Sequence, residues 1–297
     1  MKAFEKAIEK LLLICAITAT LSVVIITVFI FKEGISVLTE YGIIDFIFGS
    51  KWSPTNGYYG ILPLITGSLA VTLGALIIGI PTGLACAIFL SEVAHKQAAK
   101  VLKSAVELLA GIPSVVYGFF GLTILVPAIR RFILPMVQLV DKDATTSGFS
   151  ILAGAIILAI MILPTIVSIS ENAITSVPIE YKEASLALGA NHQETITRVL
   201  LPAARSGIIS SIILGMGRAI GETMAVILIT GNMPKVPGSA LDSVATLTGT
   251  IAMEMGYATP EHQKALFAVG IVLFIMIMLL NIAANFTLHK LGGQTND

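Results

Sequence analysis

From Trp52 to Ser91 the chain runs forty residues without a charged side chain, and the core of that run, Ile65–Leu90, is almost wholly apolar. Roughly 20 apolar residues in a helix cross the hydrocarbon core of a bilayer. Inside lipid only helices and closed barrels satisfy every backbone polar group. Five further stretches reach the required length: Leu11–Phe31, the interval between Glu107 and Arg130, Phe149–Ile169, Ile208–Ile229 and Leu266–Leu288. The expected fold class is therefore an all-α integral membrane protein with six transmembrane helices. Only 12% of residues are charged, about half the share usual in a soluble domain. Hydrophobic residues make up 56%, which excludes intrinsic disorder. Eighteen basic and eighteen acidic side chains cancel, so no basic field exists to hold nucleic acid. Cys15 and Cys86 lie singly within apolar runs, which argues against a disulfide framework or a cysteine metal site.

The first span opens with Lys2, Lys6 and Lys10, as a signal peptide would. Its uncharged run exceeds an ordinary h-region, and Lys32-Glu33-Gly34 follows it without a small-x-small cleavage site. It reads as a retained anchor. Residues 1–60 are then an anchor helix with a first external loop, and residues 61–290 a transmembrane domain with an inner loop at 171–205. With both termini in the cytoplasm, the inner segments carry ten basic residues and the outer segments seven, Lys142 among them. That is a weak accord with the positive-inside rule. Trp52, Tyr58 and Tyr59 then fall at the outer interface, where amphipathic rings prefer to lie. Pro63, Pro81, Pro113, Pro127 and Pro164 recur inside or beside the spans. They are either ordinary membrane-helix prolines or markers of broken helices around a pathway.

Between the fourth and fifth spans, Glu171 to Arg205 has its own grammar. Pro178 suits a first helical position, and Ile179–Leu188 reads as a helix of about three turns. Gly189 supplies a left-handed terminator. Asn191 with Glu194 makes a capping box for a second short helix that ends at Pro202. Leu186, Ala187, Ile196, Val199 and Leu200 offer apolar contacts, while Ala184 and Ser185 leave a small-residue face. A DNA-reading helix-turn-helix has a similar pattern but is poorly placed between two spans. Packing against the chain's own bundle and docking to a cytoplasmic partner both remain open on the residues alone.

The fifth span carries Arg218 and Glu222, one helical turn apart. A charge at the bilayer centre costs about 2.5–3.5 kcal/mol on insertion scales. The two either neutralise each other to hold helices together, or serve a pathway. The guanidinium fork matches phosphate oxygens, so Arg218 is a candidate transient anion contact, with Glu222 orienting it or limiting how tightly the ion is held. Thr223 adds a hydroxyl. Gly217 and Gly221 form a G-x-x-x-G stripe that favours close helix packing and could bring Arg218 against a second subunit. Glu107 either caps the third span or pairs with Lys103.

Glu183-Ala184-Ser185, Gly189, Val199 and Leu201-Pro202 resemble the EAA loop of ABC-importer permeases, with Ser at the third position and Val for the usual Ile. Three more stretches narrow the resemblance: Tyr59-Gly60-Ile61-Leu62-Pro63, Glu107 through Gly118, and Arg218-Ala219-Ile220-Gly221-Glu222-Thr223. Together they are similar to the permeases of high-affinity phosphate ABC importers. Tyr117-Gly118 and Met224-Ala225-Val226 are more similar to the PstC than to the PstA sibling.

The resemblance implies a type I, MetI-like importer fold in the cell membrane. It also implies that Glu183, Ala184, Ser185, Gly189 and Pro202 belong to a loop docking the ATPase. The partners it implies are a PstA-type sibling permease, two PstB-type ATPase subunits and an extracytoplasmic phosphate-binding protein. ATP and Mg then belong to the ATPase, and no cofactor to this chain. The absence of a Walker A sequence agrees. An intramembrane enzyme is disfavoured: His95, His192, His262 and His289 are scattered, and neither H-E-x-x-H nor G-x-S-x-G occurs. A permease for another oxyanion, such as molybdate or sulfate, remains open, as does an ion-coupled secondary transporter.

Overall fold

The computed structural model describes residues 2–139 and 145–292; Lys142, counted above among the outer basic residues, lies outside them. Helix α1 (Lys2–Tyr41) leads through the short α2 (Ile43–Phe48) to a two-stranded antiparallel hairpin, β1 (Trp52–Ser53) and β2 (Tyr58–Tyr59). Then come α3 (Leu62–Val93), α4 (Lys96–Gly111), α5 (Ser114–Gln138) and α6 (Ile151–Thr175). The short helices α7 (Ile179–Ala187) and α8 (His192–Ala203) lead to α9 (Arg205–Gly221) and α10 (Met224–Ile229). Last are α11 (Leu247–Glu254) and α12 (Pro260–Gly292). Helices α1, α3, α5, α6 and α12 are each long and apolar enough to cross a membrane; α8 and α9, bent by 70° where they meet, make a sixth if the pair counts as one span.

Two spans differ from the sequence expectation. The third does not open at Glu107. Glu107 belongs to α4, a separate amphipathic helix, and the span begins at Ser114, past Pro113. Proline pushes its predecessor out of the helical region, and Ile112 is extended at φ −76°, ψ 127°. The span then runs on through Arg130 and Arg131 to Gln138. Lys103 pairs with Glu171 of α6 at 2.6 Å rather than with Glu107. The expected fifth span, Ile208–Ile229, is not one helix: it breaks after Gly221. Smaller differences are that α1 continues through Lys32-Glu33-Gly34 to Tyr41, that Pro178 is the N-cap of α7 rather than its first residue, and that α8 ends at Ala203.

The prolines act in two ways. Pro81 and Pro164 sit inside helices that continue past them. Pro127, Pro135 and Pro202 each stand two residues after a π turn, at Gly121–Leu125, Ile129–Ile133 and Ile196–Leu200. A proline ring collides with the carbonyl four residues back, and a wider turn just upstream carries that carbonyl clear.

Helix α3 packs along α6 through glycines. A Cβ on Gly74 would lie 2.8 Å from Ala155, on Gly79 2.9 Å from Ile162, and on Gly83 2.7 Å from Ile166. Val71, Ile157, Leu158, Ile162 and Ile229 fill the core there. A second cluster closes the hairpin end, with Phe46, Trp52, Tyr59, Leu64, Leu247 and Leu266. Its polar groups are paired: Trp52 Nε1 donates to Glu254 at 3.1 Å, and His262 Nε2 lies 2.8 Å from the same carboxylate. Helix α1 lies on α12, where Phe29 and Phe267 meet edge to face. A Cβ on Gly34 would fall 2.7 Å from the Ala268 backbone nitrogen.

Gly34→Val should therefore force α1 off α12 at a cost of about 1–3 kcal/mol, read as a lower midpoint of thermal unfolding in detergent. Gly256→Ala, with no atom within 4 Å of the added carbon, should leave that midpoint nearly unchanged. Tyr59 lies just outside the span, and burial, then Glu261 and Tyr41, raise its pKa above the ordinary 10.0. Its stabilising contribution is full below pH 10.0 and is lost as the pH rises through the raised value. The fluorescence of Trp52, the sole tryptophan, should report that alkaline loosening, and Tyr59→Phe should flatten it.

Candidate functional site

The chain leaves the helical region at Glu222 (φ −68°, ψ 134°) and Thr223 (φ −121°, ψ −59°), between α9 and α10. No proline causes this; Gly221 and Thr223 are weak helix formers, and neighbouring side chains hold the gap open. A broken helix inside a bundle exposes amides and carbonyls that lipid cannot satisfy. Glu222 answers one of them, its Oε1 accepting from the Ala225 amide at 3.2 Å. The Glu222 carbonyl accepts from Thr248 Oγ1 at 2.9 Å. Ser68 Oγ on α3 accepts from the Leu247 amide at 2.9 Å, and Thr246 Oγ1 caps α11 by accepting from Gly249 at 3.2 Å. Ser68, Thr72, Thr246, Thr248 and Glu222 line one small cavity at the break. Four hydroxyls and one carboxylate thus converge within the bundle.

The break also overturns one expectation. Spacing puts Arg218 and Glu222 on one helical face, but the backbone turns Glu222 aside before the turn is complete. They form no ion pair within 4.0 Å among the described residues. Arg218 lies in the last turn of α9, where the carbonyl end of a helix favours a cation. Its side chain is exposed on the open face of the chain and within electrostatic reach of Tyr117 on α5. The Tyr117 hydroxyl donates to Leu109 at 2.7 Å. Thr223 turns its hydroxyl to its own backbone, donating to Gly221 at 3.3 Å. Carbons added to Gly217 and Gly221 would meet nothing within 4 Å, so that stripe is unused inside this chain.

The second candidate is the helix pair α7–α8. Gly189 takes φ +88°, a left-handed turn that favours glycine. Asn191 and Glu194 form the expected capping box, with hydrogen bonds of 2.9 and 3.0 Å. Ser185 and Thr195 hydroxyls join the two helices at 3.0 Å, while Ile196 and Leu200 are buried beneath. Glu183, Ala184 and Pro202 remain exposed. An open groove of about 600 Å³ runs along Tyr181, Ala184, Ser185, Leu188, Gly189 and Arg198. Leu188 is 89% exposed, an unusual place for a bare leucine at the rim of a groove.

Sequence reasoning missed Ser68, Thr246, Thr248 and Glu92. Ser68 and Thr72 stand four apart on α3, and that spacing is the only signal the residues give. Nothing local links them to Thr246 and Thr248. Glu92 follows directly on the uncharged run and could have been marked as the first charge after it. It pairs with Lys182 of α7 at 2.5 Å.

A sequence profile of the family described as binding-protein-dependent transport system inner membrane component matches residues 75–291. A curated relative, a probable ABC transporter permease protein, YqgH, of Bacillus subtilis (strain 168), is 42% identical over 271 residues, 89% of this chain and 84% of that one. The phosphate transport system permease protein PstC of Xylella fastidiosa (strain 9a5c) is 35% identical over 262 residues, 84% of this chain and 80% of its own. In fold, the chain is similar to one from the inward-facing MetNI methionine ABC transporter. The TM-score is 0.57 at 18% identity, over 81% of this chain and 99% of that one, in keeping with the MetI-like architecture expected.

Removing the cap on α8 tests how firmly the groove is built. Asn191→Ala should cost about 1 kcal/mol locally, seen as roughly fivefold faster amide exchange across residues 192–203. Unchanged exchange would mean that the buried Ile196 and Leu200, not the cap, hold this helix.

Proposed function

We propose that this chain, which belongs to the binding-protein-dependent transport system inner membrane components, is the permease through which an ATP-driven importer moves inorganic phosphate. It is a non-catalytic, multi-span membrane subunit of an ABC importer. The likeness to PstC over most of the chain is what carries the phosphate reading, and the chemistry of the broken span supports it. A phosphate ion leaving water needs fixed donors that also let go. Arg218 supplies a guanidinium fork on an open face, and the break at Glu222 and Thr223 gathers polar groups beside it.

In this reading a PstA-type sibling permease covers the open face and completes the pathway, with Gly217 and Gly221 allowing close approach. Two PstB-type ATPase subunits hold ATP and Mg and dock on α7–α8 through Glu183, Ala184, Ser185, Gly189 and Pro202. The exposed Leu188 and the groove beside it are the surface such a subunit would fill. An extracytoplasmic phosphate-binding protein delivers the ion at the hairpin end. Both termini then face the cytoplasm, with residues 1–60 as anchor and first external loop and residues 61–290 as the transmembrane domain.

Arg218→Gln should abolish ATP-dependent phosphate uptake in membrane vesicles while the assembled complex is still recovered by mild-detergent purification. Normal uptake by that variant would remove Arg218 from the pathway. Wild-type uptake of molybdate or sulfate in preference to phosphate would move the substrate to another oxyanion. Uptake that survives ATP depletion but collapses with the proton gradient would overturn the ATP-driven reading itself.

A further inference from the structure

We propose that Glu92 and Lys182 form a strut that transmits movement of the α7–α8 helix pair into α3, and so to the cavity at Glu222. The inference rests on the reading of α7–α8 as the loop that receives work from a partner ATPase. Glu92 lies in a π turn, Phe89–Val93, that ends α3. Its side chain is 9% exposed, and Lys182 Nζ of α7 lies 2.5 Å away. The backbone carbonyl of the same residue meets His192 Nε2, at the start of α8, at 3.2 Å. One residue of a spanning helix therefore holds both helices of the loop. Among the described residues no other ion pair ties that loop to the bundle.

What lies beyond the strut is stiff. Gly74, Gly79 and Gly83 press α3 against α6 with no room for an added carbon, and tightly packed interfaces transmit displacement rather than absorb it. At the far end of that contact, Ser68 and Thr72 line the cavity at the broken span. Ser68 accepts from Leu247, and Thr248, the next residue, donates to the Glu222 carbonyl. A pull on α7 thus reaches α3 through a short charged link, and α3 carries it to the hydrogen bonds that satisfy the break. Without the link, the loop keeps chain continuity at α6 and α9, the His192 contact to the Glu92 carbonyl and apolar packing, but no charged tie to the bundle among the described residues. A mostly buried carboxylate left without its cation also favours rearrangement of its surroundings. Glu92 and Lys182 are positioning residues: neither touches the proposed path of the ion.

The test uses the complete importer in proteoliposomes, with phosphate uptake and ATP hydrolysis followed together. Glu92→Gln and Lys182→Gln should each lower the phosphate carried per ATP by about fivefold or more while hydrolysis continues. The reversed pair, Glu92→Lys with Lys182→Glu, should recover most of that ratio. An unchanged ratio in the single variants overturns the strut, and so does a reversed pair as defective as the singles. If Glu92→Gln fails to assemble, Lys182→Gln decides by the same ratio, since Lys182 is the more exposed partner at 27%. A wild-type complex that imports no phosphate defeats the substrate reading instead; the ratio is then read with sulfate or molybdate, whichever the wild type carries.

Discussion

Backbone amides and carbonyls that leave the helical ladder inside an apolar bundle must find partners there, and the interruption at Glu222–Thr223 imposes that demand on this fold. Each unsatisfied group in a hydrocarbon setting costs several kcal/mol. The partners are the Glu222 carboxylate itself and Thr248 on α11, and Ser68 on α3 in turn holds the start of α11 by accepting from the Leu247 amide. The return of the chain through residues 231–246, which seats α11 against α3, is therefore a condition for breaking the span at all. The break fixes the positions of α11, α3 and the hairpin end together.

A site built this way is poised between order and release. Its hydrogen bonds are of ordinary length, between 2.9 and 3.3 Å, and each involves a neutral donor. Those between neutral groups are worth about 0.5–1.5 kcal/mol net and the one to the Glu222 carboxylate about 1.5–3 kcal/mol, so exchanging one of the neutral bonds for another is cheap. An uninterrupted helix would offer nothing to exchange, and a set of buried ion pairs would resist exchange strongly. The absence of an Arg218–Glu222 pair fits this picture: with each charge free of the other, the guanidinium stays available at the open face while the carboxylate serves as a cap.

The spans were legible because lipid makes a uniform demand on them, and a run such as Phe149–Ile169 needs no context to be recognised. The capping box at Asn191 and Glu194 was legible because its geometry is closed within four residues. The break at Glu222 was not. Gly221 and Thr223 weaken a helix only slightly, and the distant group that satisfies the gap lies 26 residues away at Thr248, on a helix whose start is itself held by Ser68. The separate α4 was misplaced for a related reason: charge spacing showed where the apolar run began, but Pro113, standing inside that run, decided where the span began. Lys103 met Glu171, 68 residues on, instead of Glu107 on its own helix, because α4 lies against α6. Local rules place elements, and tertiary contacts choose among the partners that local rules allow.

Arg218 raises the question of what completes this chain. A guanidinium facing lipid near the bilayer centre would cost about 2.5–3.5 kcal/mol even on the lenient insertion scale. Its face also carries Gly217 and Gly221, whose added carbons would meet nothing within 4 Å, and Phe119 and Phe120 of α5, the helix packed on α10, are exposed as well. Glycines facing lipid give up helix propensity for no packing gain. Both costs vanish if the face is covered by another helical subunit that supplies the arginine with acceptors or water and the glycines with a close neighbour. The same surface that looks wasteful in one chain is economical as half of an enclosed passage. On the proposed reading, the physical unit that makes sense of Arg218 is larger than this polypeptide.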